Sequence, residues 1–290
     1  MKEYGILKEN VSLKNYNTYK IGGKVKYLIK PYDINNLILL LDYLKTNKIN
    51  YFIIGKGSNI ILPDQDYNGT IILLDNLNKI SIKDNYVNVE SGISLNNFIL
   101  KLVNENIKGL ENLCGIPGTV GGAIVQNAGC YNSTISDHLE SVTYLENGII
   151  KTIEKDKCNF KYRNSIFKKN KNLIVLSCTF KLEKGYKEEM LSIIKEHNLK
   201  RKNTQPLLYP NAGSVFKNPI NNSAGKLIDE LGLKNYHIND AYISEKHANF
   251  IINKGNAKSK DIIDLIKYIK KEVKNKYDID LELEQEIIKY

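Results

Sequence analysis

The 290-residue chain contains no run of eighteen apolar residues, so no membrane-spanning helix is expected. Its start, MKEYGILKENVSLKNYN, has no apolar stretch of signal-peptide length, and a cytoplasmic protein is expected. Cysteine is scarce: Cys114, Cys130, Cys158 and Cys178 form no CxxC pair, and the four histidines do not cluster with them. That spacing argues against a metal site and for free thiols in a reducing compartment. Arginine is nearly missing. Of 42 basic residues only Arg163 and Arg201 are Arg. The net charge of +10 comes from lysines spread along the chain, with no dense basic patch of the kind a nucleic acid requires. An anionic small substrate is compatible with that charge. In a chain that uses Lys almost everywhere, each Arg is either chance or a site that needs the planar fork and permanent charge Lys cannot copy.

What is present is ordinary for a globular protein: 42% hydrophobic and 26% charged residues, and a length sufficient for two domains. Residues 1–20 are polar and carry little periodicity. Apolar spacing predicts helices over 33–47 (Ile34, Leu37, Leu40, Leu41, Leu44), over Leu95–Leu102 behind a Ser94 cap, over 188–199, over 224–231 stopped by Gly232, and over 261–276. Strands are predicted at 51–54, 70–74, 86–90, 141–146, 148–154, 173–182, 248–253 and along the tail IDLELEQEII. The segment RKNTQP breaks the pattern near residue 200, a domain boundary. Helices and strands mix without strict βαβ alternation, which argues α+β.

Glycine is concentrated in one place. Residues 115–129, GIPGTVGGAIVQNAG, hold Gly115, Gly118, Gly121, Gly122 and Gly129. The stretch fails the dinucleotide GxGxxG spacing. Its glycines admit either a phosphate or planar ring against the backbone, or a helix packed tightly on a sheet. GKGSN (55–59) follows the strand YFII and reads as an anion nest or a plain turn. In PNAGSVFKNP (210–219), Ser214 is a capped-turn residue or a proton donor. LELEQEI sets Glu282, Glu284 and Glu286 at alternate positions, a solvated edge or a site needing one carboxyl.

In order, the segments NTYKIGG, GKGSN, GLENLCGIPGTVGGAIVQNAG, YRNSIF, NAGSVFKNP, AGKLIDELGLK, SEKHANFIIN and LELE resemble the bacterial UDP-N-acetylenolpyruvoylglucosamine reductase family, in its shorter type without an extra substrate-covering loop. The resemblance runs from about residue 15 to the end. It implies an α+β fold with an FAD-binding region of two α+β subdomains, vanillyl-alcohol-oxidase-like (PCMH-type), followed by a C-terminal α+β substrate-binding domain. The expected division is an N-terminal segment 1–20, an FAD-binding domain 21–187 and a substrate domain 200–290. The resemblance further implies FAD as cofactor, NADPH as reductant, UDP-N-acetylenolpyruvoylglucosamine as substrate, no nucleic-acid or membrane partner, and a monomer. FAD is expected against Gly55, Lys56, Gly57, Ser58 and Asn59, and against Gly115, Ile116, Pro117, Gly118, Thr119, Gly121, Gly122 and Ala123. Arg163, Ser214 and Glu284 are the expected catalytic residues, with Glu286 the alternative to Glu284 because a two-residue slip keeps the same strand face. Lys217 and Asn218 are expected to bind substrate. Four positions depart from the family pattern: Gln285 stands where Val or Ile is usual, Gln126 replaces an apolar residue, and Cys114 and Cys130 replace Ala.

Overall fold

The computed structural model describes residues 1–290, and the chain groups into two compact units. Each draws on three segments: Met1–Lys8, Tyr27–Gly55 and Gly69–Leu199 form the first, and Glu9–Lys26, Lys56–Asn68 and Lys200–Tyr290 the second. This grouping differs from the expected division in chain order, because residues 9–26 and 56–68 lie with the C-terminal part. Burial is the reason: Tyr19, Ile21 and Ile61 are fully enclosed in the apolar core of the second unit. No helix is long and apolar enough to cross a membrane.

The first unit has two cores. In one, the strands Gly5–Ser12, Lys24–Pro31, Tyr67–Leu73 and Tyr51–Ile54 lie in that order in a sheet, the last two parallel, with residues 9–12, 24–26 and 67–68 of these strands grouped in the second unit. Helix Ile34–Thr46 starts where the Asp33 carboxylate accepts the Asn36 N–H at 2.8 Å. It buries Leu37, Leu40 and Leu44 with Ile29, Ile72 and Leu176. The two N-terminal strands were not anticipated. Most side chains of Gly5–Ser12 stay at least partly exposed, so the segment lacks a buried alternation to read.

The other core belongs to a five-stranded antiparallel sheet in the order Ile149–Glu154, Leu139–Glu146, Ile174–Lys181, Tyr86–Glu90, Ile80–Lys83. Helix Leu95–Asn104 buries Phe98 against Phe180, ring centroids 5.7 Å apart. The Ser94 side chain makes no capping hydrogen bond; its backbone instead bridges Thr119. Helix Lys187–Thr204 runs through RKNT rather than breaking there. Arg201 and Lys202 in its last turn suit the negative end of the helix, Thr204 Oγ1 donates to Lys200 O at 2.8 Å, and Pro206 follows.

The second unit centres on a three-stranded antiparallel sheet, His237–Ile238, Ala241–Ile243 and Ile251–Asn253. Helix Ser259–Tyr277 buries Ile262, Leu265, Ile266, Ile269 and Val273 in its core. The strand expected from 248 begins only at 251. The tail is not one continuous strand either. Leu283 forms a single bridge to Phe216, and Glu286–Ile287 then pair in parallel with Ile60–Ile61. The alternation of apolar and acidic residues is real, but the partner changes midway.

Candidate active site

Within the first unit, the glycine-rich stretch folds as a loop and a short helix, Val120–Gln126. Thr119 caps it, its Oγ1 accepting the Gly122 N–H at 3.1 Å. Gly115 and Gly118 adopt φ of 91° and 154°, and the Gly115 N–H donates to Asn96 Oδ1 at 2.6 Å. A Cβ on Gly121 would stand 2.7 Å from the Ser91 Cβ and 3.1 Å from its carbonyl oxygen. One on Gly129 would meet Ser133 O at 2.6 Å, and one on Gly55 would meet Thr119 Oγ1 at 2.8 Å. These three glycines are consumed by the protein's own packing. Gly122 is different: it is exposed, and its Cβ would meet only Thr119 Oγ1 at 3.4 Å. The tight-packing reading therefore holds at Gly55, Gly121 and Gly129, while Gly122 leaves its backbone open. Pro117 is exposed beside Gly122's loop, Ile116 is half-buried and Ala123 buried.

Asn127 ends the helix in the left-handed region, φ 46°, and is buried. Its Nδ2 donates to Lys161 O at 3.0 Å, while its Oδ1 has no hydrogen-bond partner; the Ser91 hydroxyl is likewise unpartnered. Lys161 opens a tight turn to Asn164, whose N–H returns to Lys161 O at 3.1 Å. Arg163 occupies the third position of this turn at φ 54°, a conformation that costs a non-glycine residue about 1–3 kcal/mol. Its Nη2 donates to Gly129 O at 2.7 Å, and its guanidinium lies 5.1 Å from the Tyr162 ring centre. Lys168 Nζ holds the Arg163 carbonyl at 3.1 Å, and Ser165 Oγ donates to Val125 O at 2.7 Å. The strained turn is thus bolted to the end of the glycine-rich helix, with Arg163 carried on it.

The partition into units falls inside GKGSN: Gly55 belongs to the first and Lys56–Asn59 to the second. Lys56 is exposed and Ser58 half-buried. Gly57, at φ 62°, has no room for a side chain, since a Cβ would lie 2.5 Å from Tyr16 O and 2.7 Å from Asn17. Asn59 spends its side chain on the protein, Nδ2 donating to Glu284 O at 3.1 Å.

The second unit gathers Ser214, Lys217, Asn218 and the tail carboxylates. Ser214 bridges Phe250, while Val215 and Phe216 anchor it in the core. Asn249 clamps this segment. Its Oδ1 accepts the Phe216 N–H at 3.0 Å, its Nδ2 donates to Phe216 O at 2.8 Å, and its carbonyl accepts the Val215 N–H at 2.9 Å. Sequence reading missed Asn249; the signal available was a polar residue inside the apolar run HANFII. The Glu284 N–H donates to Val215 O at 2.9 Å, which pairs the backbone of Glu284 with the segment that carries Ser214. Glu286 instead gives its N–H to Asn59 O at 2.9 Å and pairs with Ile60. Lys217 is ion-paired with the exposed Glu282. Asn218 Oδ1 accepts the Ala224 N–H at 3.1 Å and so helps start helix Ala224–Glu230.

Gln285, between the two glutamates, is 3% exposed and fully engaged. Its Oε1 accepts from the Tyr19 hydroxyl at 3.0 Å, and its Nε2 donates to Ala212 O and Gly213 O, each at 3.1 Å. Burial pushes the Tyr19 phenol upward. Burial also depresses the His247 imidazole below its ordinary value and pushes the Cys158 thiol up to about 11. All four cysteines are free, and no group of three or more His, Cys, Asp or Glu could hold a metal ion.

A flavin nucleotide needs polar partners inside an otherwise packed wall and a backbone it can approach. The unpartnered Asn127 Oδ1 and Ser91 hydroxyl and the open face at Gly122 fit that demand.

The FAD binding domain family matches residues 25–152, and the UDP-N-acetylenolpyruvoylglucosamine reductase C-terminal domain family matches residues 205–288. The UDP-N-acetylenolpyruvoylglucosamine reductase of Carboxydothermus hydrogenoformans is 44% identical over 282 residues, covering 97% of this chain and 93% of the relative. That of Clostridium novyi is 41% identical over 283 residues, covering 97% and 92%. Among solved structures, the UDP-N-acetylenolpyruvylglucosamine reductase from Thermus caldophilus superposes with a TM-score of 0.85 at 31% identity, over 99% of this chain and 100% of that one. A solvent-stable cholesterol oxidase shares the fold alone, with a TM-score of 0.50 at 12% identity over 63% of this chain and 39% of its own. The α+β class with an FAD-binding region and a C-terminal α+β domain, expected from the sequence, is the fold of this group.

Proposed function

The chain belongs to the UDP-N-acetylenolpyruvoylglucosamine reductase family, an FAD-dependent oxidoreductase family, and on that premise we propose that it reduces UDP-N-acetylenolpyruvoylglucosamine to UDP-N-acetylmuramate with NADPH, in peptidoglycan precursor synthesis. FAD, held by Gly55–Asn59 and the Gly115–Ala123 segment, would supply the hydride chemistry between NADPH and C3 of the enolpyruvyl group. The chain must then absorb negative charge developing at C2 and its carboxylate, and must bring a proton to C2. Arg163 is assigned to that carboxylate, since a guanidinium fork meets two oxygens with two hydrogen bonds. Ser214 Oγ is assigned as the proton donor to C2. Glu284 is assigned to the same intermediate, protonated or shared with a cation at that moment, because a bare carboxylate would repel the enolate. Such contacts each contribute roughly 10²–10⁴ in rate. Lys217 and Asn218 are assigned to the substrate's diphosphate and sugar. Glu282 is then a placeholder on Lys217, displaced at little cost because its own carboxylate is solvent-exposed. Gly55–Asn59 and the Gly115–Ala123 segment are assigned to FAD.

The observation that carries this reading is the Glu284 N–H to Val215 O hydrogen bond, which brings the backbone that carries Glu284 against the segment that carries Ser214 from a distant part of the sequence. Glu284 is preferred to Glu286 because its backbone pairs directly with the Ser214–Phe216 segment, whereas that of Glu286 pairs with Asn59 and Ile60. The test is spectroscopic. FAD-loaded protein is expected to lose its flavin absorbance with NADPH and regain it with UDP-N-acetylenolpyruvoylglucosamine. Protein that takes up no FAD, or is bleached but never restored, sinks the proposal. Ser214→Ala should still bleach but not recover. Glu284→Gln should lose far more kcat than Glu286→Gln; the reverse order moves the carboxyl to Glu286.

A further inference from the structure

We propose that Gln285 is a positioning residue that holds the Ser214 hydroxyl and the Glu284 carboxyl in register, a role that rests on the reading of those two as the proton-handling pair. The segment leading to Ser214 has a weak point. Gly213 sits at φ 75°, and nothing lies within 4 Å of where its Cβ would be. Its N–H is held by Asn211 Oδ1 at 3.0 Å, but no packing fixes the residue and the two carbonyls before Ser214 would otherwise be loosely held. Gln285 removes this freedom. Its single Nε2 donates to the carbonyls of both Ala212 and Gly213, at 3.1 Å each, and thus pins the two peptide planes that precede Ser214. Because Gln285 directly follows Glu284, the same side chain ties the Ser214 hinge to the backbone that carries the carboxyl.

The amide's orientation is set by its partners. Two carbonyls at one end demand the NH2 group, and the Tyr19 hydroxyl at the other donates to Oε1 at 3.0 Å. Tyr19 is itself fully buried, and its carbonyl accepts from Asn253 Nδ2 at 2.9 Å. A branched apolar residue at this position could fill the space but could not hold either carbonyl. The arrangement is a satisfied polar cluster that fixes a hinge.

The experiment measures the two half-reactions of the FAD-loaded enzyme separately by stopped-flow, in water and in deuterium oxide. In Gln285→Leu, bleaching by NADPH should stay within about twofold of wild type, while recovery with UDP-N-acetylenolpyruvoylglucosamine slows about tenfold, the usual scale for losing a buried hydrogen-bonded contact. The solvent isotope effect on recovery should rise, because a misplaced donor makes proton delivery limiting. A residue that served only the packing of the core would not move that isotope effect. Amide exchange at 213–216 in the cofactor-free protein should also accelerate. Tyr19→Phe keeps the ring and removes only the orienting hydroxyl, so a drop of about threefold is expected, with the same isotope signature. It decides alone if Gln285→Leu does not fold. Wild-type recovery rates and isotope effects in the folded variants, alongside a Ser214→Ala that has lost recovery, overturn the role of Gln285. A Ser214→Ala that recovers normally overturns the underlying reading of Ser214 instead.

Discussion

Two adjacent glycines, Gly121 and Gly122, should respond to alanine with opposite sign. Both lie in the first turn of helix Val120–Gln126, where Ala is intrinsically better than Gly by about 0.5–1 kcal/mol. At Gly121 the new methyl would stand 2.7 Å from the Ser91 Cβ and 3.1 Å from the Ser91 carbonyl, atoms fixed to the backbone of a buried residue. Separating them also stretches the 2.8 Å hydrogen bond from the Gly121 N–H to Ser91 O. Overpacking of this kind costs about 1–3 kcal/mol, so the net effect of Gly121→Ala is a loss of about 1–2 kcal/mol, or roughly 2–6 °C in Tm. At Gly122 the methyl meets only Thr119 Oγ1 at an ordinary 3.4 Å. The cofactor-free Gly122→Ala protein should melt about 1–3 °C higher than wild type. The assignment of Gly122 to FAD adds a second expectation: its affinity for FAD should fall about tenfold, as a methyl occupies the approach to the backbone. Thermal melts of the two cofactor-free variants and an FAD titration by flavin fluorescence read both quantities. A Gly121→Ala protein as stable as wild type refutes the packing argument. Unchanged FAD affinity in Gly122→Ala refutes the ligand-clearing role.

Arg163→Gly should leave stability within about 1 kcal/mol of wild type, because relief of the left-handed backbone offsets the lost contacts, yet abolish recovery of the flavin by substrate. Arg163→Lys, which keeps the charge but not the fork, should lose about 10²-fold in kcat; equal kcat would show that charge alone suffices. His247 is held neutral by burial, and its Nδ1 accepts the Asn249 N–H at 3.3 Å. The unfolded chain therefore binds a proton more readily. Stability should be complete above the ordinary value of 6.5 and should decline as pH falls from there to the depressed folded value. Urea midpoints against pH should show this slope in wild type and lose it in His247→Gln. Thiol labelling of the native protein should reach the half-buried Cys130 first, while Cys158, with its thiol raised to about 11, and the buried Cys114 and Cys178 label only on unfolding. Rapid native labelling of Cys158 would contradict its burial.

Long periodic elements were legible in the sequence. The stripes of helices Ile34–Thr46, Leu95–Asn104 and Ser259–Tyr277 point at single buried faces, and the five-stranded sheet follows its apolar alternation. The short pairings were not legible. Two-residue strands such as Ile60–Ile61 carry no period, and their partners are chosen by chain folding. The tail shows why: Leu281, Leu283 and Gln285 turn inward by alternation, but Gln285 belongs inside only because the Tyr19 hydroxyl, 266 residues away, meets it. At the candidate site, the glycine positions were visible from composition. Which of them serve packing and which leave a backbone open depends on where Ser91, Thr119 and Ser133 lie, and that is tertiary information.

The interleaving of segments sets an order on biosynthesis. The three pieces of the first unit have all been synthesised once Leu199 has been added, but the second unit lacks most of its core until the chain is nearly complete. At about 5–20 residues per second, Tyr19, Ile21 and Ile61 wait roughly 8–50 s for Phe216, Ile262 and Leu281 to arrive. During that interval the early segments are apolar strips without a home. A nascent chain stalled past residue 200 is the species that holding chaperones should recognise, and a fragment starting at Lys200 would be a core with its own keystones left behind.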